Sequence, residues 1–178
     1  MDELDDVTLE RARRGEPNAQ RQLIRFYQPR VGALLFRMLG RGSPDVVDAA
    51  QETFERVVRA LERFDPKGTA KLSTWILTIA TRIAIDRLRK PSVEAEVIEL
   101  VDRAPSPESR VASMRLVDRV EAEMMKLPDD TRAALVLRAY HDLDYAEIAR
   151  IQAVEIGTVK SRIARARAAL ASVREEER

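Results

Sequence analysis

The sequence predicts an all-α chain in which two small helical domains are joined by a flexible acidic linker. Three observations predict it. Apolar residues recur at spacings of three and four in two blocks, from about Asp5 to Lys90 and from about Ser106 to Val173. Aromatics are 4% and Gly only 6 of 178 residues, which favours helices packed through Leu, Ile, Val and Ala over a turn-rich β fold. Between the blocks, PSVEAEVIELVDRAPSPES holds three of the 8 prolines and no sustained helical period. Its Glu94, Glu96, Glu99, Asp102 and Glu108 face one basic residue, Arg103. The expected boundaries are therefore 1–90, 91–109 and 110–178.

In the first block, Leu23, Phe26, Tyr27, Val31, Leu34, Leu35 and Met38 share a helical stripe. Gly40 can close that helix in the left-handed conformation, and Ser43-Pro44-Asp45 restarts the chain with Pro in the first turn. In DVVDAAQETFERVVRALERFD, Val47, Ala50, Phe54, Val57, Val58 and Leu61 form the apolar stripe. Asp48, Glu52, Glu55 and Arg59 fall on another face, with Gln51 at its margin. Asp65-Pro66-Lys67-Gly68 breaks the helix, and Leu72–Leu88 resumes it. From Lys71 to Lys90 the charges are Lys71, Arg82, Arg87, Arg89 and Lys90 against Asp86 alone.

The second block opens on Ser106-Pro107-Glu108, with Val111, Met114, Val117 and Met124 expected on its buried side. Leu127-Pro128 starts a helix carrying Leu135, Val136 and Tyr140. His141 is expected at the surface in the connection that follows. Asp144-Tyr145-Ala146-Glu147 reads as a capping box that opens a short helix. A tight turn leads to a last helix from about Ile156 to Val173.

Composition removes several function classes. No Cys means no disulfide, thiolate zinc site or cysteine nucleophile, and one His argues against a multi-histidine metal site or a Ser-His-Asp triad. No apolar run approaches the ~18 residues of a membrane span. The acidic start, MDELDD, has the wrong charge for a secretory signal. The expectation is a cytoplasmic, non-enzymatic protein with no cofactor and no direct membrane insertion.

The last two helices carry the chemistry. On a wheel, Val159, Ile163, Ala166 and Leu170 share one face of the final helix; Ser161, Ala164, Arg165 and Ala168 lie opposite, flanked by Lys160, Arg162 and Arg167. A packed back and a basic front, after a short helix and a tight turn, is a helix-turn-helix layout. Lys and Arg displace counterions from phosphates, and Arg pairs bidentately with guanine.

LPDDTRAALVLRAYHDLDYAEIARIQAVEIGTVKSRIARARAAL closely resembles the fourth conserved region of bacterial sigma factors. DVVDAAQETFERVVRALERFD with WILTIATRIAIDRLRK resembles their second region. Two such regions alone, in this order, resemble an extracytoplasmic function (ECF) sigma factor. The resemblance implies promoter DNA and core RNA polymerase (β′ clamp helices and β flap) as partners, and leaves open an anti-sigma factor. It implies polymerase docking through Asp48, Gln51, Glu52 and Arg59. It places Lys67, Lys71, Trp75 and Arg82 at the downstream promoter element, although Trp75 can equally be core. It places Lys160, Ser161, Ala164 and Arg165 at the upstream element, with Arg162 and Arg167 beside them. Arg138 matches a further DNA-contacting position and reads equally as a solvated arginine. The resemblance implies that the linker threads the polymerase cleft, and a solvated tether kept extended by its charge is the other reading.

Departures from the family pattern are Val47, Ala49, Arg82, Ala153 where the turn usually has Gly, and Glu155 where Ser is common. An operator-binding regulator that needs no polymerase, or a helical adaptor such as an anti-sigma protein, are the competing readings. The first leaves the N-terminal block without a role, and the second leaves the basic front without one.

Overall fold

A computed structural model describes residues 3–89 and 108–175, with side chains described throughout except at 108–116 and 172–175. Nearly all of the expected acidic linker lies outside the described residues. Those residues form eight α-helices and no strand: α1 (Asp6–Arg13), α2 (Pro17–Leu39), α3 (Asp45–Ala60), α4 (Leu72–Arg89), α5 (Glu108–Lys126), α6 (Asp129–Tyr140), α7 (Tyr145–Gln152) and α8 (Ile156–Glu175). A single 3-10 turn, Leu61–Arg63, follows α3.

The N-terminal unit is built around α2, which packs on α1, α3 and α4. Leu23, Tyr27, Val31, Leu34, Leu35 and Met38 are buried on its core face, whereas Phe26, expected with them, is exposed. Gly40 closes α2 at φ 96° and ψ 156°, a positive φ but not the expected left-handed helical conformation, in a region open essentially to Gly alone. The first residues are stitched to this core. The Glu3 carboxylate accepts from the Tyr27 hydroxyl at 2.8 Å, from the Ser73 amide at 3.2 Å and from the Ser73 hydroxyl. Burial pushes the Tyr27 phenol pKa well up, and the adjacent Glu3 carboxylate adds to the shift.

The C-terminal unit is built around α6, where every residue from Thr131 to Leu137 is buried. Buried Arg132 joins α5 to α6, donating to Asp129 Oδ1 at 2.8 Å and to the Met125 carbonyl at 3.2 Å. Met124 is buried as expected, but Val117 is 48% exposed. The reason is that α5 packs on α8 and only lightly on α2, so its apolar spacing is not fully used.

The two units also pack on each other, α2 and α4 against α6 and α7. The Arg37 guanidinium lies 3.7 Å from the centre of the Tyr140 ring. Arg41 pairs with Glu121 at 3.1 Å and Asp118 at 3.7 Å. This interface corrects the expectation for His141. It is 5% exposed, because the end of α6 is turned toward α2 and not toward water.

Candidate nucleic-acid and docking interfaces

The capping box forms as the sequence predicts. The Glu147 amide donates to Asp144 Oδ1 at 2.7 Å, and the Asp144 amide donates to Glu147 Oε2 at 2.9 Å. The turn after α7 puts Ala153 at φ 52° and ψ 48°, the left-handed conformation that Gly adopts without strain. An alanine there carries a Cβ penalty of about 1 kcal/mol. Glu155 sits just before α8, where its charge favours the positive end of the helix dipole.

On α8, Val159, Ile163 and Ala166 are fully packed, and Lys160, Ser161, Ala164, Arg165, Arg167 and Ala168 are exposed. The basic front therefore exists as a surface. Arg162 lies apart from that exposed front. Its side chain is 15% exposed and is held by Asp130 at 3.1 Å, because its place on the wheel falls over the start of α6 and the end of α7. Arg138 is half-buried and donates to Asp142 Oδ1 and to the Leu143 carbonyl, both at 3.1 Å.

At the other end of the chain, the loop before α4 is a turn closed by Asp65. Its Oδ1 accepts from the Lys67 amide at 3.0 Å, and its carbonyl accepts from Gly68 at 3.1 Å. Lys67 and Lys71 are exposed. Lys71, Trp75, Thr78 and Arg82 follow at spacings of three and four, so one face of α4 runs from the turn through the indole to Arg82. Trp75 is half-buried and packs on Phe64 with ring centroids 5.2 Å apart. It is both core edge and surface. The α7 helix covers part of this region: Arg150 donates to the Thr69 carbonyl at 3.1 Å, and Glu147 accepts from the Thr74 hydroxyl at 3.4 Å. Arg150 was not among the expected contacts, and no local pattern could have placed it there.

The apolar stripe of α3 divides in two. Ala49, Thr53, Val57 and Leu61 are buried in the core. Phe54 is buried too, as expected, but also reaches the open groove of about 1150 Å³, shared with α2, that Val47, Ala50 and Val58 line. Val47, expected in the core, is 72% exposed there, since α2 fills only half of the stripe's width. Gln51, Glu55 and Arg59 edge this groove, and α2 contributes Arg21, Ile24, Gln28, Pro29 and Gly32. The α2 half went unnoticed in the sequence, although residues 21, 24, 28 and 32 carry the spacing of a second face. The four expected docking residues do not share one face. Gln51 and Arg59 edge the groove, but Glu52 faces α4, where Arg87 donates to it at 2.9 Å and to Asp45 at 3.1 Å. That hydrogen bond, with Arg56 nearby, holds the Glu52 carboxyl below the usual carboxylate range. Asp48 is exposed and is not part of the groove lining.

Comparison with known proteins agrees with this layout. A family model described as Sigma-70 region 2 matches residues 23–92, and one described as Sigma-70, region 4 matches residues 118–170. The ECF RNA polymerase sigma factor SigW of Bacillus subtilis is 33% identical over 175 residues, covering 91% of this chain and 92% of that protein. The ECF RNA polymerase sigma-E factor of Escherichia coli K12 is 35% identical over 179 aligned positions, covering 93% of this chain and 92% of that protein. Among solved structures, CnrH in complex with the cytosolic domain of CnrY superposes with TM-score 0.70 at 25% identity, covering 97% of each chain. RpoE of Bartonella quintana, solved with the anti-sigma factor NepR, shares the fold with TM-score 0.69 at 20% identity, covering 89% of this chain and 98% of that one.

Proposed function

The chain belongs to the extracytoplasmic function sigma factors of the sigma-70 family, and on that premise we propose how its surfaces divide the work. It binds core RNA polymerase, directs it to promoters and promotes initiation. Nucleotide transfer is left to the polymerase, and we place the chain in the cytoplasm, where its template is; no helix among the described residues is long and apolar enough to cross a membrane.

The observation that carries the DNA assignment is the division of α8 into a buried Val159–Ile163–Ala166 back and an exposed Lys160–Ser161–Arg165 front. Small Ala164 and Ala168 keep that front low enough to enter a major groove. The front reads the upstream element, and the Lys67–Lys71–Trp75–Arg82 face reads the downstream element. Residues 1–90 and 110–178 are assigned to these two tasks. The groove between α2 and α3 receives the polymerase β′ clamp helices: it is apolar at its floor and polar at its rim, which suits an amphipathic helical partner. An operator-binding regulator would leave this groove without an occupant. Structural relatives solved with partner proteins make an anti-sigma factor a second candidate partner of this chain.

The test is promoter-specific RNA synthesis by core polymerase with and without the chain. Arg165→Ala should weaken the cognate upstream element by about 1–3 kcal/mol and relax preference there. Unchanged discrimination would remove the reading role from this face.

A further inference from the structure

We propose that Arg162 does not contact DNA but is a positioning residue that sets the roll of α8 against α6 and α7. Its guanidinium is divided between two helices. One terminal nitrogen donates to Gln152 Oε1 at the end of α7 (2.8 Å), and the other reaches Asp130 Oδ2 in the first turn of α6 (3.1 Å). Gln152 Nε2 in turn donates to the Asp130 backbone carbonyl at 2.8 Å. Three helices are thus joined in one closed ring of hydrogen bonds, partly withdrawn from water. The planar fork of an arginine can bridge two acceptors at once, which an ammonium does not reproduce.

The node lies immediately beside the reading face. Arg162 follows exposed Ser161 and precedes Arg165 by one turn. With side chains extending about 6 Å from a helix axis, a roll of about 10° moves a head group by about 1 Å. That is enough to spoil a bidentate base contact, whose geometry tolerates only a few tenths of an ångström. The ring resists such a roll because any rotation of α8 lengthens a bond to α6 or to α7.

This inference rests on the reading of α8 as the helix that recognises the upstream element. It differs in sign from simple charge counting. If Arg162 were a phosphate contact, Arg162→Lys would preserve it, and Asp130→Asn, which removes a nearby negative charge, would be neutral or tighten binding. If Arg162 positions the helix, both changes open the ring and relax sequence discrimination.

The experiment uses the full chain with core polymerase and two duplexes: one selected from a randomised upstream-element pool by the wild-type holoenzyme, and the same duplex with that element scrambled. Affinities are measured across a salt series, with helix content checked by circular dichroism. Arg162→Lys and Asp130→Asn should each reduce the selected-to-scrambled ratio by about tenfold. The slope of log affinity against log salt should stay at its wild-type value. Wild-type discrimination in either variant, or a salt slope lowered by about one in folded Arg162→Gln, overturns the node. Arg165→Ala separates the two failures. If it relaxes discrimination while the node variants do not, the reading helix stands and the node falls; if none of them matters, both fall.

Discussion

His141 lies at the end of α6 with Arg37 and Arg30 of α2 nearby, buried and with no hydrogen-bond partner for Nε2 among the described residues. Burial first, and the two guanidiniums second, lower its pKa from 6.5 to about 4. The sign follows from where the proton goes. Above pH 6.5 the imidazole is neutral in folded and unfolded chains alike, so the full stability is present. As pH falls toward 4, the unfolded chain takes up a proton that the folded chain excludes, and stability is lost, by about 2 kcal/mol between pH 7 and pH 5. Urea unfolding of wild type and His141→Gln at these two pH values should show the loss in wild type only. Parallel pH dependence in the two proteins would mean that His141 is not excluded from water as the fold indicates.

Helix α3 has more apolar width than the core consumes. One face carries Ala49, Thr53 and Val57 into the interior, and the adjacent one leaves Val47 and Val58 on an open groove. An exposed valine has little to contribute to folding but much to a partner that would dehydrate it. Val47→Asp should therefore leave thermal unfolding within about 0.5 kcal/mol of wild type, as surface changes do. The same change should weaken core-polymerase binding at least tenfold. Unaltered polymerase affinity in the folded variant would reassign the groove. Glu52→Lys is expected to behave in the opposite way, destabilising the fold by breaking the contact that ties α3 to Arg87 of α4.

The two units of the molecule are held closed by apolar packing of α2 and α4 on α6 and α7, supplemented by exposed polar links. Each exposed ion pair contributes up to about 1 kcal/mol, so the links bias the closed state without enforcing it. On the proposed assignment this state is not the DNA-reading one, since α7 engages Thr69 and Thr74 beside the downstream-element face. Charge reversal at Arg41 and Arg150 together should repel Glu121 and Asp118 and remove the link to Thr69. Small-angle scattering at low salt should then move from about 16 Å, the radius of gyration for a compact chain of this length, toward roughly 19 Å or more for separated units. Identical scattering from the two proteins would show that the polar links do not contribute to closure.

How much of this was legible depends on the range of the interaction concerned. The capping box of Asp144 and Glu147 and the apolar back of α8 follow from residues near one another in the chain, and the sequence alone determined them, whereas the left-handed backbone at Ala153 came only from the structure, because alanine does not announce a positive φ. The family followed from the sequence too, because its two motifs are themselves local strings. Other features depend on what another helix brings. The apolar period of α3 shows how wide its stripe is, but only α2 decides which half becomes core and which becomes groove. A wheel places Arg162 on the flank of α8, but Asp130 and Gln152, at sequence separations of 32 and 10, turn that flank into a junction. The position of His141 in a connection suggests a surface residue until α2 closes over it. Tertiary structure decided these points because periodicity records only which side of a helix is apolar or charged. Whether that side meets protein, DNA or water is settled by packing partners distant in sequence, and no local spacing encodes them.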